Sequence, residues 1–262
     1  MSNYLNKERL TKIIFYSLIF IILLIVVLVN GATIGEKIKY NFFSADNISN
    51  LFIGLRNTLI VTICAFIIGL ILGLITCLID GLNSKNPAII ILKQIFKIYV
   101  SVFRGTPAIV QLLIIYFIIF SSVPADYSLW IAILAFGLNS GAYVSEIIRG
   151  GINAVPVGQI EAGRSLGLSY PVVMLKIVFP QAIRHALPSL GNEFITLIKE
   201  TSIVGFIGAF DLTLAFRKLA NVTYDYATVY LVMGVAYFII ILGVSSLFKL
   251  LERKLIKHVN VK

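Results

Sequence analysis

Glu161-Ala162-Gly163, then Gly167 after three residues, then Ile177-Val178-Phe179-Pro180 after nine more, fall in the longest polar break of a chain that is otherwise apolar. Ala162 and Gly163 are small enough to let another surface approach the backbone, and Glu161 and Arg164 set charge at the rim. The chemistry offered is the grip of one protein on another. Two polar rows lie inside apolar stretches. Asn139, Tyr143 and Glu146 follow i, i+4, i+7 and share one helix face; Asn192, Thr196 and Lys199 repeat that spacing, with Glu193 and Glu200 on a neighbouring face. Charges at membrane depth are costly, so they face a cavity or a partner. The competing reading pairs Glu146 with Arg149 three residues on, and places Lys199 and Glu200 in structural ion pairs across a subunit interface.

Enzyme chemistry has little to draw on. The two histidines, His185 and His258, and the two cysteines, Cys64 and Cys77, make no metal-ligand cluster, and no nucleophile triad or catalytic carboxylate pair stands out. Cys64 and Cys77 share one helical segment, too far apart along it for a disulfide. No G-x-x-x-x-G-K-[ST] phosphate loop is present.

The elements that must position these residues follow from composition. Of 262 residues, 59% are hydrophobic and 13% charged, and the mean hydropathy of +0.97 marks an integral membrane protein. A bilayer core about 30 Å thick needs about 20 apolar residues in a helix. Six windows qualify: Ile13–Val29, Leu51–Ile79, Val100–Phe120, Leu129–Ile148, Leu190–Phe210 and Tyr226–Phe248. The third is interrupted by Arg104-Gly105-Thr106-Pro107, in which Thr106 reads as an N-cap and Pro107 as the first residue of the span; Arg104 reads as a head-group anchor, with substrate contact the lesser reading, and the fifth window contains Asn192, Glu193, Lys199 and Glu200. Gly69-x-x-x-Gly73 in the second suits close helix packing, and Tyr127 and Trp130 suit an interfacial belt.

Sidedness follows from the cations. With the N-terminus inside, the cytoplasmic segments hold Lys7, Arg9, Lys12, Lys85, Lys93, Lys97, Arg149, Arg164, Lys176, Arg184, Lys249, Arg253, Lys254, Lys257 and Lys262, against Lys37, Lys39, Arg217 and Lys218 outside. Six spans with both termini cytoplasmic result. The net charge of +10 is then a sidedness signal and not a nucleic-acid surface. Ile13–Val29 is too long, and Val29-Asn30-Gly31-Ala32 too poor a cleavage site, for a secretory leader. Residues 31–50 read as an outer loop. Within Arg149–Pro188, Gln159–Leu166 suits a short helix that Gly167 ends in a left-handed position, and Ser169 caps a second helix stopping near Pro180.

This loop resembles the EAA loop of ABC importer permeases: E-A-A, three residues, G, nine residues, I-x-L-P. Gly163 stands at the second Ala and Phe179 at the Leu, and glycine there loosens a helix by about 1 kcal/mol. Phe103-Arg104-Gly105-Thr106-Pro107, Asn139-Ser140-Gly141-Ala142-Tyr143 with Glu146 and Arg149-Gly150, Pro156-x-Gly158-Gln159, Leu187-Pro188-x-x-Gly191-Asn192 and Lys199-Glu200-Thr201-Ser202 are similar to the polar amino-acid subgroup, the histidine and glutamine permease type.

The resemblance implies an all-α type I importer fold of five core helices plus one N-terminal helix, with a cytoplasmic coupling helix. It divides the chain into a leading helix and outer loop over 1–50, a permease domain over 54–250 and a basic cytoplasmic tail over 251–262. It implies a bacterial cell-membrane subunit that is not itself an enzyme. The partners implied are a second permease subunit, two ABC ATPases that use ATP and Mg, and an extracellular solute-binding protein; this chain binds no cofactor and no metal. Glu161, Ala162, Gly163 and Gly167 would couple to the ATPase. Asn139, Tyr143, Glu146, Asn192, Thr196, Lys199 and Glu200 would line the path, Lys199 taking an amino acid's carboxylate and Glu146 or Glu200 its ammonium. Coupling loop and path residues in one chain favour a homodimer over a heterodimer. The solute within the amino-acid class stays open. The alternative is a secondary transporter driven by an ion gradient, for which the loop at 159–180 has no purpose and internal inverted repeats are lacking.

Overall fold

The structure, a computed structural model, describes residues 35–82 and 84–257; the expected first span Ile13–Val29 and the tail beyond residue 257 lie outside the described residues. All regular elements among the described residues are helical. Residues 35–42, expected as outer loop, form a helix whose Phe42 packs on Phe216 at 6.1 Å. α1 (Ala45–Gly81) starts six residues before the apolar window, because Ser44 is extended and its Oγ accepts the Asn47 N–H at 3.2 Å. α2 (Pro87–Gly105) opens the same way, Asn86 Oδ1 accepting from Ala88 N at 3.0 Å with Pro87 in the first turn.

The expected single span Val100–Phe120 is two helices. α2 ends at Gly105, and α3 (Ala108–Ile114, continued as a π turn over Ile115–Ile119) leaves it at 114°. The break lies at Thr106-Pro107, where the proline ring removes a backbone donor. Thr106 therefore caps the C-terminus of α2, its Oγ donating to Val102 O at 2.8 Å, and Pro107 stands at the N-cap of α3; the expected capping roles are each displaced.

α4 (Ser128–Asn153) is the hub. Phe136 and Ala132 sit in a core built with Val61 and Ala65 of α1, Leu112 of α3 and Leu197 further along the chain. A Cβ on Gly69 would lie 2.8 Å from Ser140 Cβ, and one on Gly73 2.5 Å from Val144 Cγ1, so α1 and α4 approach as the glycine spacing foretold.

The chain continues through α5 (Val157–Ser165) and α6 (Tyr170–Val173), a π turn over Met174–Val178, and α7 (Phe179–Glu200). The helix expected to stop near Pro180 does not. The wide π turn immediately before Pro180 accommodates a residue that has no N–H and whose ring would meet the carbonyl four positions back. The window Leu190–Phe210 is likewise not one span: α7 ends at Glu200, Thr201–Ile207 tightens into a 3-10 turn, and Gly208 at φ +76° closes it. Then come α8 (Leu212–Thr223) and α9 (Tyr226–Lys257), which carries residues 251–257 of the expected tail as helix.

Three described helices are long and apolar enough to cross a bilayer, Asp46–Gly81, Ala125–Asn153 and Tyr226–Glu252, and the bent α2–α3 pair brings the number to four. The architecture is that of an all-helical membrane protein.

Candidate functional site

The loop between α4 and α7 is built as helix, turn, helix. α5 begins at Val157, two residues before the expected Gln159, and its end is a Schellman motif. Leu168 N donates to Gly163 O at 3.2 Å and Gly167 N to Arg164 O at 3.0 Å, with Gly167 at φ +79°. Ser169 stands at the N-cap of α6, but its hydroxyl makes no capping bond. Glu161 and Ala162 are exposed beside Leu166 and Val157, which are 81% and 66% exposed. Gly163 turns the other way. It is buried, and a Cβ there would lie 2.8 Å from Val173 Cγ2 and 3.1 Å from Ile177 Cδ1. The small residue serves the packing of α5 on the segment that follows, and not an open surface. Val157, Glu161, Ala162 and Leu166 lie on the exposed side, as do Gly158, Gln159, Arg164 and Ser165.

The first polar row faces the α2–α3 break. Glu146 accepts from Arg149 Nε at 3.1 Å and Nη2 at 2.5 Å, the pairing three residues on that the competing reading foresaw. Its Oε2 also lies 3.1 Å from Arg104 Nη1, and the Arg104 guanidinium stands 5.6 Å from the centre of the Tyr143 ring. One carboxylate thus serves two guanidiniums, an arrangement with a positive surplus. Arg104, read chiefly as a head-group anchor, belongs to this cluster; which groups it meets is decided by contacts across the bend.

Arg104, Glu146 and Arg149 line a cavity of about 490 Å³ between α1, α2 and α4, with Asp80, Lys93 and Lys97 among its walls; Tyr143 stands behind Arg104 and is not a lining residue. Lys97 Nζ is 4.0 Å from Asp80 Oδ1. Cavity walls carrying both cations and anions can hold a zwitterion by its two ends. Asn139 is not among the lining residues. It is 3% exposed, and its Nδ2 donates to Gln111 Oε1 at 2.8 Å.

The second row does not join the first. Asn192 and Lys199 are exposed along α7, and Thr196 and Glu200 are half-buried. Among the described residues, no side-chain hydrogen bond or ion pair links these four to Asn139, Tyr143 or Glu146. Their neighbour Glu193 is buried and accepts from Ser140 Oγ at 2.8 Å, which ties α7 to α4. Gln111 and Ser140, and Asp80, Lys93 and Lys97 of the cavity walls, are polar residues that spacing did not single out for the site; the signal at Gln111 is its place four residues after Pro107.

A family model described as binding-protein-dependent transport system inner membrane component matches residues 90–257. A putative glutamine transport system permease protein of Rickettsia typhi is 39% identical over 200 residues, 76% of this chain and 89% of the relative. An arginine transport system permease protein of Bacillus subtilis is 40% identical over 203 residues, 77% and 90% of the two chains. An L-cystine transport system permease protein of Bacillus subtilis is 36% identical over 228 residues, 87% and 95%. A chain of the crystal structure of an amino acid ABC transporter with histidines has a TM-score of 0.72 at 41% identity, covering 81% of this chain and 98% of that one. The MetNI methionine ABC transporter in an inward-facing conformation has a TM-score of 0.68 at 21% identity, over 81% and 99%, a likeness of fold.

Proposed function

This chain belongs to the family of binding-protein-dependent transport system inner membrane components, a permease of the amino-acid ABC transporter kind, and from that premise we propose that it imports a polar amino acid delivered by an extracellular solute-binding protein. Two ATPases of the ABC type use ATP and Mg on the cytoplasmic side, where both termini of the permease also lie. A second copy of this chain completes the path. The observation that carries the reading is the α5–Schellman–α6 unit, which holds Glu161, Ala162 and Leu166 on an exposed face with its far side packed on Val173 and Ile177. Closure of the ATPase dimer pushes on that face, and the packed far side passes the push to α7.

Relatives that carry an amide, a basic or a sulfur-containing amino acid share only the ammonium and the carboxylate of their solutes. The cavity offers a partner for each. Arg104 and Arg149 receive the carboxylate, Glu146 the ammonium, and Tyr143 holds Arg104 in place. Lys199, given the carboxylate on spacing alone, is exposed with Asn192 on α7, away from that cluster. We assign Asn192, Thr196, Lys199 and Glu200 to the face toward the second permease subunit, along the path between the two.

The test is reconstitution with the ATPase and the binding protein in liposomes. Uptake should require ATP and the ATPase; uptake driven by a sodium or proton gradient alone overturns the reading. Gly167→Val should lose both ATPase co-purification and uptake, because a β-branched residue at φ +79° costs about 1–2 kcal/mol and shifts the turn. A folded Gly167→Val permease that retains both removes the coupling role.

A further inference from the structure

The 114° bend between α2 and α3 leaves a defect in the backbone. In an unbroken helix the Phe103 carbonyl accepts from the N–H four residues on, and residue 107 is a proline with none to give. Gln111 supplies the missing donor. Its Nε2 donates to Phe103 O at 2.8 Å and lies 2.9 Å from Thr106 O and 2.8 Å from Thr106 Oγ1. Its Oε1 accepts from Asn139 Nδ2 at 2.8 Å, and that nitrogen also reaches Phe103 O at 3.5 Å, so α4 grips the bend from behind.

Both amides are buried, and Asn139 Oδ1 has no hydrogen-bond partner among the described residues. Turning the Asn139 amide over would set two carbonyl oxygens against each other at Gln111, so the orientation is fixed. An apolar residue at 139 would move the stranded acceptor to Gln111 Oε1, and one at 111 would leave Phe103 O without its donor, so the two amides act as one unit on the bend. The residue next to Phe103 is Arg104, and the α4 face that presents Asn139 presents Tyr143 and Glu146 four and seven residues on, the two groups that Arg104 meets.

We propose that Gln111 and Asn139 are positioning residues: the amide pair fixes the bend, and the bend holds Arg104 over Tyr143 and against Glu146 where the solute's carboxylate is received. This rests on the reading of that cavity as an amino-acid station. It takes Asn139 out of the path and makes it the support of the residue that acts there.

The bend is read without transport, from the distance between labels at Ile98→Cys and Ile118→Cys, two exposed positions, in a Cys64→Ala, Cys77→Ala chain. Gln111→Met should broaden and shift that distance; an unchanged distance overturns the proposal. Function is read from uptake by the reconstituted transporter carrying Gln111→Met, Arg104→Gln or both. Each single change should lower uptake about tenfold, because Arg104→Gln removes a hydrogen bond to a charged group and Gln111→Met misplaces the same guanidinium. Because Gln111 acts through Arg104, the double variant should be no worse than Arg104→Gln alone. Losses that multiply, or full uptake with Gln111→Met, overturn the proposal. Should Gln111→Met fold poorly, adding Pro107→Ala returns an N–H to Phe103 O; the yield of folded protein should recover while uptake stays low, and recovery of both overturns it. Lack of ATP-dependent uptake by the unaltered transporter sinks the functional reading and leaves the distance measurement to decide the bend.

Discussion

One methyl group separates this chain from the E-A-A pattern at residue 163, and the structure gives that methyl no room. Alanine would gain about 1 kcal/mol of helix propensity over glycine. Its Cβ, however, would sit 2.8 Å from Val173 Cγ2, on a fully buried β-branched side chain with little rotamer freedom. Overpacking of this kind costs about 1–3 kcal/mol and outweighs the propensity gain. Gly163→Ala should therefore lower the Tm of the solubilised chain, and adding Val173→Ala should return part of the loss; a more stable Gly163→Ala refutes the packing account. The sequence showed a small residue in the right place but not which face it served, since burial is decided by a segment ten residues away. Glu146 is the opposite case, its pairing with Arg149 being legible from spacing and that with Arg104 not. Glu146→Gln would leave two guanidiniums around a neutral amide, and uptake in liposomes should fall about tenfold or more. Uptake unchanged by that substitution would remove Glu146 from the path.

At the level of elements, a long apolar helix needs only length and composition, so Leu51–Ile79, Leu129–Ile148 and Tyr226–Phe248 fall within observed helices. The two interrupted windows were visible as such, at Pro107 and at the charges up to Lys199-Glu200, but a 20-residue average does not give the outcome, a 114° bend in one and a 3-10 turn in the other, because a local event decides the backbone there. α8 was lost in the same way. Leu212, Ala215, Phe216 and Leu219 follow helical spacing behind an N-cap, and all are buried. That cap is Asp211, fully buried, with Oδ1 accepting from Leu214 N at 2.8 Å and Oδ2 from Thr213 N at 3.1 Å. Thr58 Oγ1 takes the Leu212 N–H at 3.1 Å, so the start of α8 is fastened to α1 as well. Asp211→Ala should cost about 1–2 kcal/mol in thermal unfolding, with Asp211→Asn retaining most of the stability. Equal loss in the two variants would mean that the charge, and not the cap, matters.

For the whole molecule, the open question of sidedness reduces to the path of α7. α1 has 37 residues, about 55 Å at 1.5 Å each, and outreaches a hydrocarbon core of about 30 Å. α7 is 22 residues long, enough to cross, yet Arg184, His185, Glu193 and Lys199 keep it from being apolar enough to face lipid all round. If α7 and the 3-10 turn nonetheless cross, the loop at Leu166 and the turn at Tyr224 lie on opposite sides, and the polar flank of α7 is covered by the second subunit. The excess of Arg and Lys around residues 149–184 predicts a cytoplasmic Leu166 loop. Leu166 and Tyr224 are 81% and 83% exposed, so each accepts a probe without disturbing the core. In intact cells carrying a Cys64→Ala, Cys77→Ala permease, an impermeant maleimide should label Tyr224→Cys at once and Leu166→Cys only after permeabilisation. Reversed labelling would place the coupling face outside the cell, and labelling of both positions in intact cells would mean that α7 does not cross at all.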